Sequence, residues 1–189
     1  QVRNRVGCPP LARGGTRNEV FPERIWIPGV WFLCLHGVLA LAIRRWEPLA
    51  GAYAWGTLAL GLCTVLRGAN PVGAAGFASY IAGAEVLWRM TRGNPVWEYG
   101  KYSAALLLLL ALLDEGLPMP PATAALYFMS LLGSTPLTVV ALDWARARRA
   151  LSFNLSGPLS IFISLWFFWN RAWSLSQVRR FLLLMIAPV

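Results

Sequence analysis

Long apolar runs recur along almost the whole of this 189-residue chain and restrict the environments in which it could fold. A helix needs about 20 mostly apolar residues to cross the hydrocarbon core of a bilayer. Backbone hydrogen bonds must be satisfied within the helix there. The sequence therefore predicts an all-α, polytopic transmembrane helix bundle with about six spans. These spans are expected at about 26–43, 49–66, 72–90, 99–113, 122–142 and 153–170.

The two ends of the chain differ from this pattern. Residues 1–24 are polar, Arg-rich and interrupted by Pro and Gly, so a disordered tail is expected there, followed by a transmembrane domain over 25–189. Residues 181–189 start like a seventh span but would cover only roughly 13 Å as a helix. A partial seventh span and a first residue other than Met indicate a fragment of a longer protein. The alternative is a short terminal helix lying on the membrane.

Composition excludes several classes of function. Charged residues make up only 13% of the chain, about half of what soluble domains contain, so the net charge of +9 indicates lipid head groups and topology signals rather than nucleic acid. The three cysteines have no metal or redox spacing. No nucleotide-binding loop or catalytic triad pattern occurs, and no metal or other cofactor is expected.

Several runs predict packing roles. The Gly- and Ala-rich third run is expected inside the bundle, because small residues allow helix backbones to approach closely in lipid. The fourth, "ALLLLLALL", is expected to face lipid. His36, the single histidine, lies on an apolar span without a nearby carboxylate, so helix packing is favoured over ligand binding.

The distribution of basic residues does not settle the orientation. Following the positive-inside rule, the loops after spans one, three and five would be cytoplasmic and the N-terminal tail external. Those loops contain Arg44, Arg45, Arg89, Arg92, Lys101, Arg146, Arg148 and Arg149, against Arg67, Arg171, Arg179 and Arg180 in the others. The tail argues the reverse, since it contains five arginines itself.

The stretch "GAEVLWRMTRGNPVWEYGKY", residues 83–102, combines charged and aromatic residues between two apolar runs. Glu85, Arg89 and Arg92 would share one face of a continuous helix. A charge at mid-membrane costs about 2.5–3.5 kcal/mol on insertion scales and usually has a partner. One interpretation is an anion site with two guanidiniums held by Glu85. The other is a structural ion pair that fixes the helix ends, and residue chemistry favours it.

Further residues follow the turn in this stretch. Glu98 lies near a helix start, where the helix dipole favours a negative charge, and Lys101 follows three positions later. Tyr99 and Tyr102 could stack on a sugar ring or anchor at the membrane interface, and residue type favours the interface. "DWARARR", residues 143–149, is interpreted as a solvated topology signal rather than a phosphate site.

Three blocks of this chain, in order, carry a family resemblance. "YIAGAEVLWRM", "WEYGKY" and "FNLSGP" within residues 25–189 resemble the N-terminal half of bacterial O-antigen ligase/polymerase-like membrane glycosyltransferases. The resemblance implies a multi-pass protein of the bacterial inner membrane. Such proteins transfer a glycan from a polyprenyl-diphosphate carrier in cell-surface polysaccharide synthesis, without a metal.

The resemblance also implies roles for individual residues. Fixed positive charge stabilises a diphosphate leaving group, and the diphosphate-binding candidates are Arg89, Arg92 and Lys101, supported by Glu85, Glu98 and Tyr102. This role requires their loop to face the periplasm. The catalytic residues of the family lie in a C-terminal half that nothing here matches, so the chain is not expected to be active alone. The alternative is a small non-enzymatic membrane transporter or scaffold subunit.

Overall fold

The computed structural model describes residues 26–68, 71–91, 98–169 and 171–189, most of which are helical, with no strand among them. The predicted N-terminal tail lies outside the described residues. The helices are α1 Trp26–Arg45, α2 Glu47–Leu66, α3 Pro71–Met90, α4 Tyr99–Asp114, α5 Ala122–Leu132, α6 Thr135–Ala141, α7 Trp144–Trp169 and α8 Leu175–Ile186. The all-α class predicted from the apolar runs is confirmed.

Three helical stretches in the described part of the chain are long and apolar enough to cross a membrane. They are Pro48–Leu66, Ala122–Ala141 and Trp144–Trp169, the second of which includes both α5 and α6. Among the others, α4 has 16 residues and is about 24 Å long, shorter than the hydrocarbon core. The length and hydropathy of these three stretches indicate a membrane protein.

Helix α3 lies at the centre and packs against α2, α4 and α8. Its buried positions are mostly small, among them Ala74, Ala75, Ala78, Gly83 and Ala84. At Gly83 the fit is so close that an added Cβ would lie 1.9 Å from the carbonyl oxygen of Met185 in α8. The expectation that this Gly/Ala-rich segment lies inside the bundle is confirmed.

The expectation that α4 faces lipid was wrong. It packs between α3 and α7, and both Leu107 and Leu112 are fully buried. A uniformly apolar run has no polar face to indicate which side is buried. The small side chains of α2 and α3 leave space that the leucines of α4 fill, as at Gly61, where an added Cβ would lie 2.8 Å from Leu107.

Two helices begin earlier than the apolar runs suggested. Helix α7 starts at Trp144 rather than near 153, so "WARARR" forms its first turns and Pro158 lies well inside it. Helix α8 starts at Leu175 with a capping box, in which the Ser174 hydroxyl accepts from the Gln177 amide and the Gln177 side chain accepts from the Ser174 amide. It has 12 residues, about 18 Å, and packs against α3.

The two ends of the bundle are defined by side-chain contacts. Where α3 ends and α4 begins, Arg89 lies beside Glu98, and Ser156 of α7 reaches the same carboxylate. Where α4 and α7 end, Glu115 and Arg171 form an ion pair. Arg171 also lies over the Phe167 ring, with its guanidinium carbon 3.9 Å from the ring centroid. Helices α4 and α7 therefore run side by side in the same direction.

Candidate functional site

Four charged side chains meet where α3 ends and α4 begins. We call Glu85, Arg89, Glu98 and Lys101 the charged corner. Glu85 and Arg89 belong to the last two turns of α3, while Glu98 immediately precedes α4 and Lys101 lies in its first turn. The structure therefore brings together the predicted candidates Arg89 and Lys101 with their predicted supports. The third candidate, Arg92, lies outside the described residues.

Glu85 and Arg89 form the ion pair that their four-residue spacing predicts. Arg89 donates to Glu85 Oε1 from Nε at 3.0 Å and from its terminal nitrogen at 2.5 Å. The Glu85 side chain is only 11% exposed, whereas that of Arg89 is 45% exposed. The Glu85 side chain is thus largely buried, whereas nearly half of the Arg89 side chain surface is accessible.

Glu98 is the most buried charge of the corner, with its side chain 3% exposed. Its Oε1 accepts from Arg89 at 3.4 Å, and its Oε2 contacts the Lys101 ammonium and accepts from the Ser156 hydroxyl at 3.4 Å. Burial alone would raise the pKa of this carboxyl. The hydrogen bond from Lys101 and the charges of Lys101 and Arg89 outweigh burial and hold the pKa of Glu98 below its usual range.

The backbone at Glu98 is in the left-handed region, with φ of 62°. Residues other than Gly adopt this region rarely, because Cβ approaches the backbone there. From this conformation the Glu98 side chain reaches Arg89 of α3, Lys101 of α4 and Ser156 of α7 rather than the backbone N–H groups of α4. No side-chain cap on α4 results, although the negative charge still lies at the positive end of the helix dipole.

Gly100 leaves the space that Glu85 occupies. A Cβ at this position would lie 2.5 Å from Glu85 Oε2 and 2.8 Å from Glu85 Cβ. A real Cβ essentially never lies this close to another heavy atom, so a side chain here would displace Glu85. The glycine in "WEYGKY" is therefore required by the close approach of α4 to α3.

An aromatic cluster of Trp88, Tyr99 and Tyr53 packs next to the charged corner. Trp88 is fully buried, and its ring centroid lies 5.6 Å from that of Tyr99 and 6.1 Å from that of Tyr53. The Tyr99 hydroxyl donates to the Ala54 carbonyl at 3.0 Å. Tyr99 thus joins α4 to α2 and is 4% exposed, so both sequence-based roles for it, sugar stacking and interfacial anchoring, were wrong.

Tyr102 remains accessible beside the corner, with 37% of its surface exposed. Its hydroxyl lies 2.9 Å from Ser152 Oγ and donates to the Ser152 carbonyl at 3.3 Å. Ser152 and Ser156 are one turn apart on α7 and contact Tyr102 and Glu98, respectively. Sequence analysis missed both serines. The signal was their four-residue spacing on one helix, with Ser152 directly before the "FNLSGP" block and Ser156 inside it.

The charged corner could bind an anion only through donors that its carboxylates leave available. The charges of Arg89 and Lys101 balance those of the two carboxylates. The Lys101 side chain is 40% exposed and that of Arg89 is 45% exposed. A lysine ammonium has three donors and an arginine five. In the described part of the chain, no group of three or more potential metal ligands occurs.

The basic start of α7 forms a separate local arrangement. Asp143 accepts from the Arg146 side chain at 2.9 Å, and both side chains are more than half exposed. Arg149 donates to the carbonyl of Ala145 in its own helix. These contacts agree with a solvated segment at the boundary of the bundle.

His36 has a packing role, as expected. It is 5% exposed, and Nδ1 lies 2.7 Å from the Phe32 carbonyl oxygen, which only accepts, so Nδ1 is the donor. Nε2 lies 2.6 Å from the Tyr80 hydroxyl and joins α1 to α3. With the ring proton on Nδ1, Nε2 accepts a hydrogen bond from the Tyr80 hydroxyl.

No protein-family profile, curated protein or solved structure shows significant similarity to this chain. The charged corner is therefore the feature of this chain that bears on its function. Its defining property is the burial of two carboxylates behind two partly exposed cations.

Proposed function

We propose that this chain forms the donor-binding part of an integral-membrane glycan ligase or polymerase. The substrate class is a glycan linked to a polyprenyl diphosphate, used in bacterial cell-surface polysaccharide synthesis of the O-antigen type. In this proposal the charged corner holds the diphosphate, and the catalytic residues belong to a part of the enzyme that this chain does not include. No metal is required for this step.

The observation that supports the proposal is the asymmetric burial of the charged corner. The side chains of Glu85 and Glu98 are only 11% and 3% exposed, whereas those of Arg89 and Lys101, which pair with them, are 45% and 40% exposed. Cations fixed in this way require no reorganisation when negative charge develops on a leaving diphosphate. Tyr102, in the first turn of α4, is 37% exposed, and its hydroxyl contacts Ser152 of α7.

We propose further that α1, α3 and α4 cross the inner membrane together with the three longest apolar stretches. Six crossings place the end of α3 and the starts of α4 and α7 on one side. The donor role requires that side to face the periplasm.

A second candidate is a non-enzymatic scaffold subunit of the membrane. The balanced charge of the corner favours it, because two cations and two carboxylates neutralise one another without a ligand. In addition, Glu98 connects α3, α4 and α7 through its three partners. Under this alternative the corner only fixes helix positions.

Binding of undecaprenyl diphosphate to the purified chain in lipid nanodiscs distinguishes the two candidates. Loss of one charge-assisted contact should weaken binding about tenfold or more in Arg89→Gln and in Lys101→Gln. Arg89→Lys, which keeps the charge, should retain part of the affinity. Arg67→Gln changes an exposed arginine at the opposite end of the bundle and is the matched control.

The thermal midpoint of each variant is measured alongside the affinity. If Arg89→Gln and Lys101→Gln lower the midpoint but bind undecaprenyl diphosphate as the unmodified chain does, the donor role is wrong and the scaffold role is supported. Equal weakening of binding by Arg67→Gln would also contradict the donor role, because the affinity would then depend on the total positive charge rather than on the charged corner.

A further inference from the structure

A lateral cavity opens between α1, α3 and α8, away from the charged corner. Its volume is about 300 Å³, and it is lined by Phe32, Val72, Gly73, Gly76, Phe77, Tyr80, Arg180 and Leu184. Apart from Arg180 and the Tyr80 hydroxyl, the lining is apolar. That hydroxyl is already bonded to His36 at 2.6 Å. The lining of the cavity is therefore apolar except for one side chain that can bind a polar group, Arg180.

The polar function is the guanidinium of Arg180. The residue is exposed, and among the described residues it has no hydrogen-bond or ion-pair partner. Arg180 precedes Leu184 by one turn of α8, so both lie on one face of that helix. Long helical side chains point back towards the helix start, which directs the guanidinium towards the membrane boundary where α8 begins and α4 and α7 end.

The floor of the cavity follows the axis of α3. Its α3 residues start in the first turn at Val72 and continue to Tyr80, and they share one helix face. Gly73 and Gly76 contribute no side chain to this lining, and Leu184 of α8 lies close to Gly76, since an added Cβ there would be 3.4 Å from its Cδ1. An acyl chain in this groove would extend from Arg180 along the face of α3 that contains Gly73 and Gly76.

We propose that this cavity binds an anionic glycerophospholipid. The head-group phosphate contacts the Arg180 guanidinium, and one acyl chain lies along Gly73 and Gly76 towards Tyr80. A planar guanidinium offers forked donors that match phosphate oxygens. The inference does not depend on the glycan-transfer role, since the cavity and the charged corner have no residue in common, although α3 contributes to both.

Charge complementarity selects this occupant. Arg180, a single cation without a partner in the part of the chain that the structure describes, lies at one end of an apolar groove and matches an amphiphile with one anionic head group. A peptide would need donors and acceptors along the groove, and the lining residues provide none beyond Arg180 and the engaged Tyr80 hydroxyl.

The test is native mass spectrometry of the purified chain titrated with phosphatidylglycerol or phosphatidylcholine of the same acyl composition. The unmodified chain should retain phosphatidylglycerol in preference to phosphatidylcholine. Arg180→Gln should lower the apparent affinity for phosphatidylglycerol about fivefold, since one basic residue near a lipid surface contributes about that factor. Arg180→Lys should retain most of it.

Arg179→Gln is the matched control, because it removes the same charge at the neighbouring position of α8, which does not line the cavity. Gly76→Leu fills the groove and should reduce binding without changing charge, and its folding is checked by its thermal midpoint. The proposal is overturned if Arg180→Gln binds normally, if Arg179→Gln weakens binding equally, or if phosphatidylcholine binds as well as phosphatidylglycerol. Displacement of phosphatidylglycerol by undecaprenyl phosphate at equal concentration would assign the groove to an isoprenoid instead.

Discussion

Ser156 of α7 donates a hydrogen bond to Glu98, which lies 58 residues earlier in the chain, across a distance of 3.4 Å. Both side chains are buried, so this contact connects the charged corner to α7 in the interior of the bundle. A buried carboxylate that lost its partners would have to be neutralised or exposed. The stability of this junction therefore depends on the ionisation of Glu98.

Acid should destabilise the bundle through Glu98. Since its pKa is lower in the folded state than in the unfolded state, the unfolded state binds more protons in the pH range between the two values. The stabilisation is fully present above the usual carboxyl range and is lost as the pH falls through the folded pKa. Thermal midpoints of the detergent-solubilised chain between pH 7 and pH 3 should therefore fall, and Glu98→Gln should flatten this dependence.

Asp143→Asn is the control for the acid effect, because Asp143 is an exposed acid with its own arginine partner at the start of α7. Its variant should keep the pH dependence of the unmodified chain. Parallel curves for Glu98→Gln and the unmodified chain would show that other groups cause the acid transition.

Gly100→Ala should destabilise the protein by about 1–3 kcal/mol, the usual cost of overpacking. The new Cβ would lie 2.5 Å from Glu85 Oε2, so the carboxylate must leave Arg89 or α4 must move away from α3. Gly56→Ala on α2 is the matched control. A Cβ there meets no atom within 4 Å, and Ala is about 1 kcal/mol better than Gly in a helix. Denaturant titration in detergent measures both variants, and an equal response in the two would refute the close packing at Gly100.

Leu107 and Leu106 should differ sharply although they are neighbours in the same leucine run. Leu107 is fully buried against the core, whereas Leu106 is 41% exposed. Leu107→Ala should cost about 2–5 kcal/mol of unfolding free energy, because it leaves a cavity that the surrounding helices fill incompletely. Leu106→Ala should cost clearly less. A larger loss at Leu106, by the same titration, would mean that α4 presents the opposite face to the bundle.

Tyr80→Phe should loosen α1 from α3. The substitution removes the hydroxyl partner of His36 Nε2, which is buried, and a hydrogen bond between helices in membranes is worth about 0.6 kcal/mol on average. Tyr127→Phe removes a hydroxyl from an exposed side chain and should have no effect. Hydrogen exchange of the α1 amides provides the readout, with faster exchange expected only in Tyr80→Phe. Unchanged exchange would show that ring packing alone joins the two helices.

The local sequence pattern was sufficient to predict most of the helices and one contact of the candidate site. Apolar runs and their flanking charges predicted most of the helices, but the run expected as one span at 122–142 is divided into α5 and α6. Helices α7 and α8 start earlier than expected because helical structure continues into the polar residues that precede each run. The Glu85–Arg89 pair followed from spacing, since residues four apart on a helix are neighbours in any fold. The central place of α3 followed from its small residues, which only a closely packed helix can use.

Contacts between distant residues were decided by the tertiary structure alone. A run of leucines has no intrinsic inner face, so only the packing of α3 and α7 against α4 determines that Leu107 is buried. The same packing buries Tyr99 and brings Ser156 to Glu98. The sequence by itself thus determined which segments are helical and which charges are close along one helix. The tertiary structure determined which side of each helix is buried and which charges remain exposed, because burial depends on neighbours that local sequence does not specify.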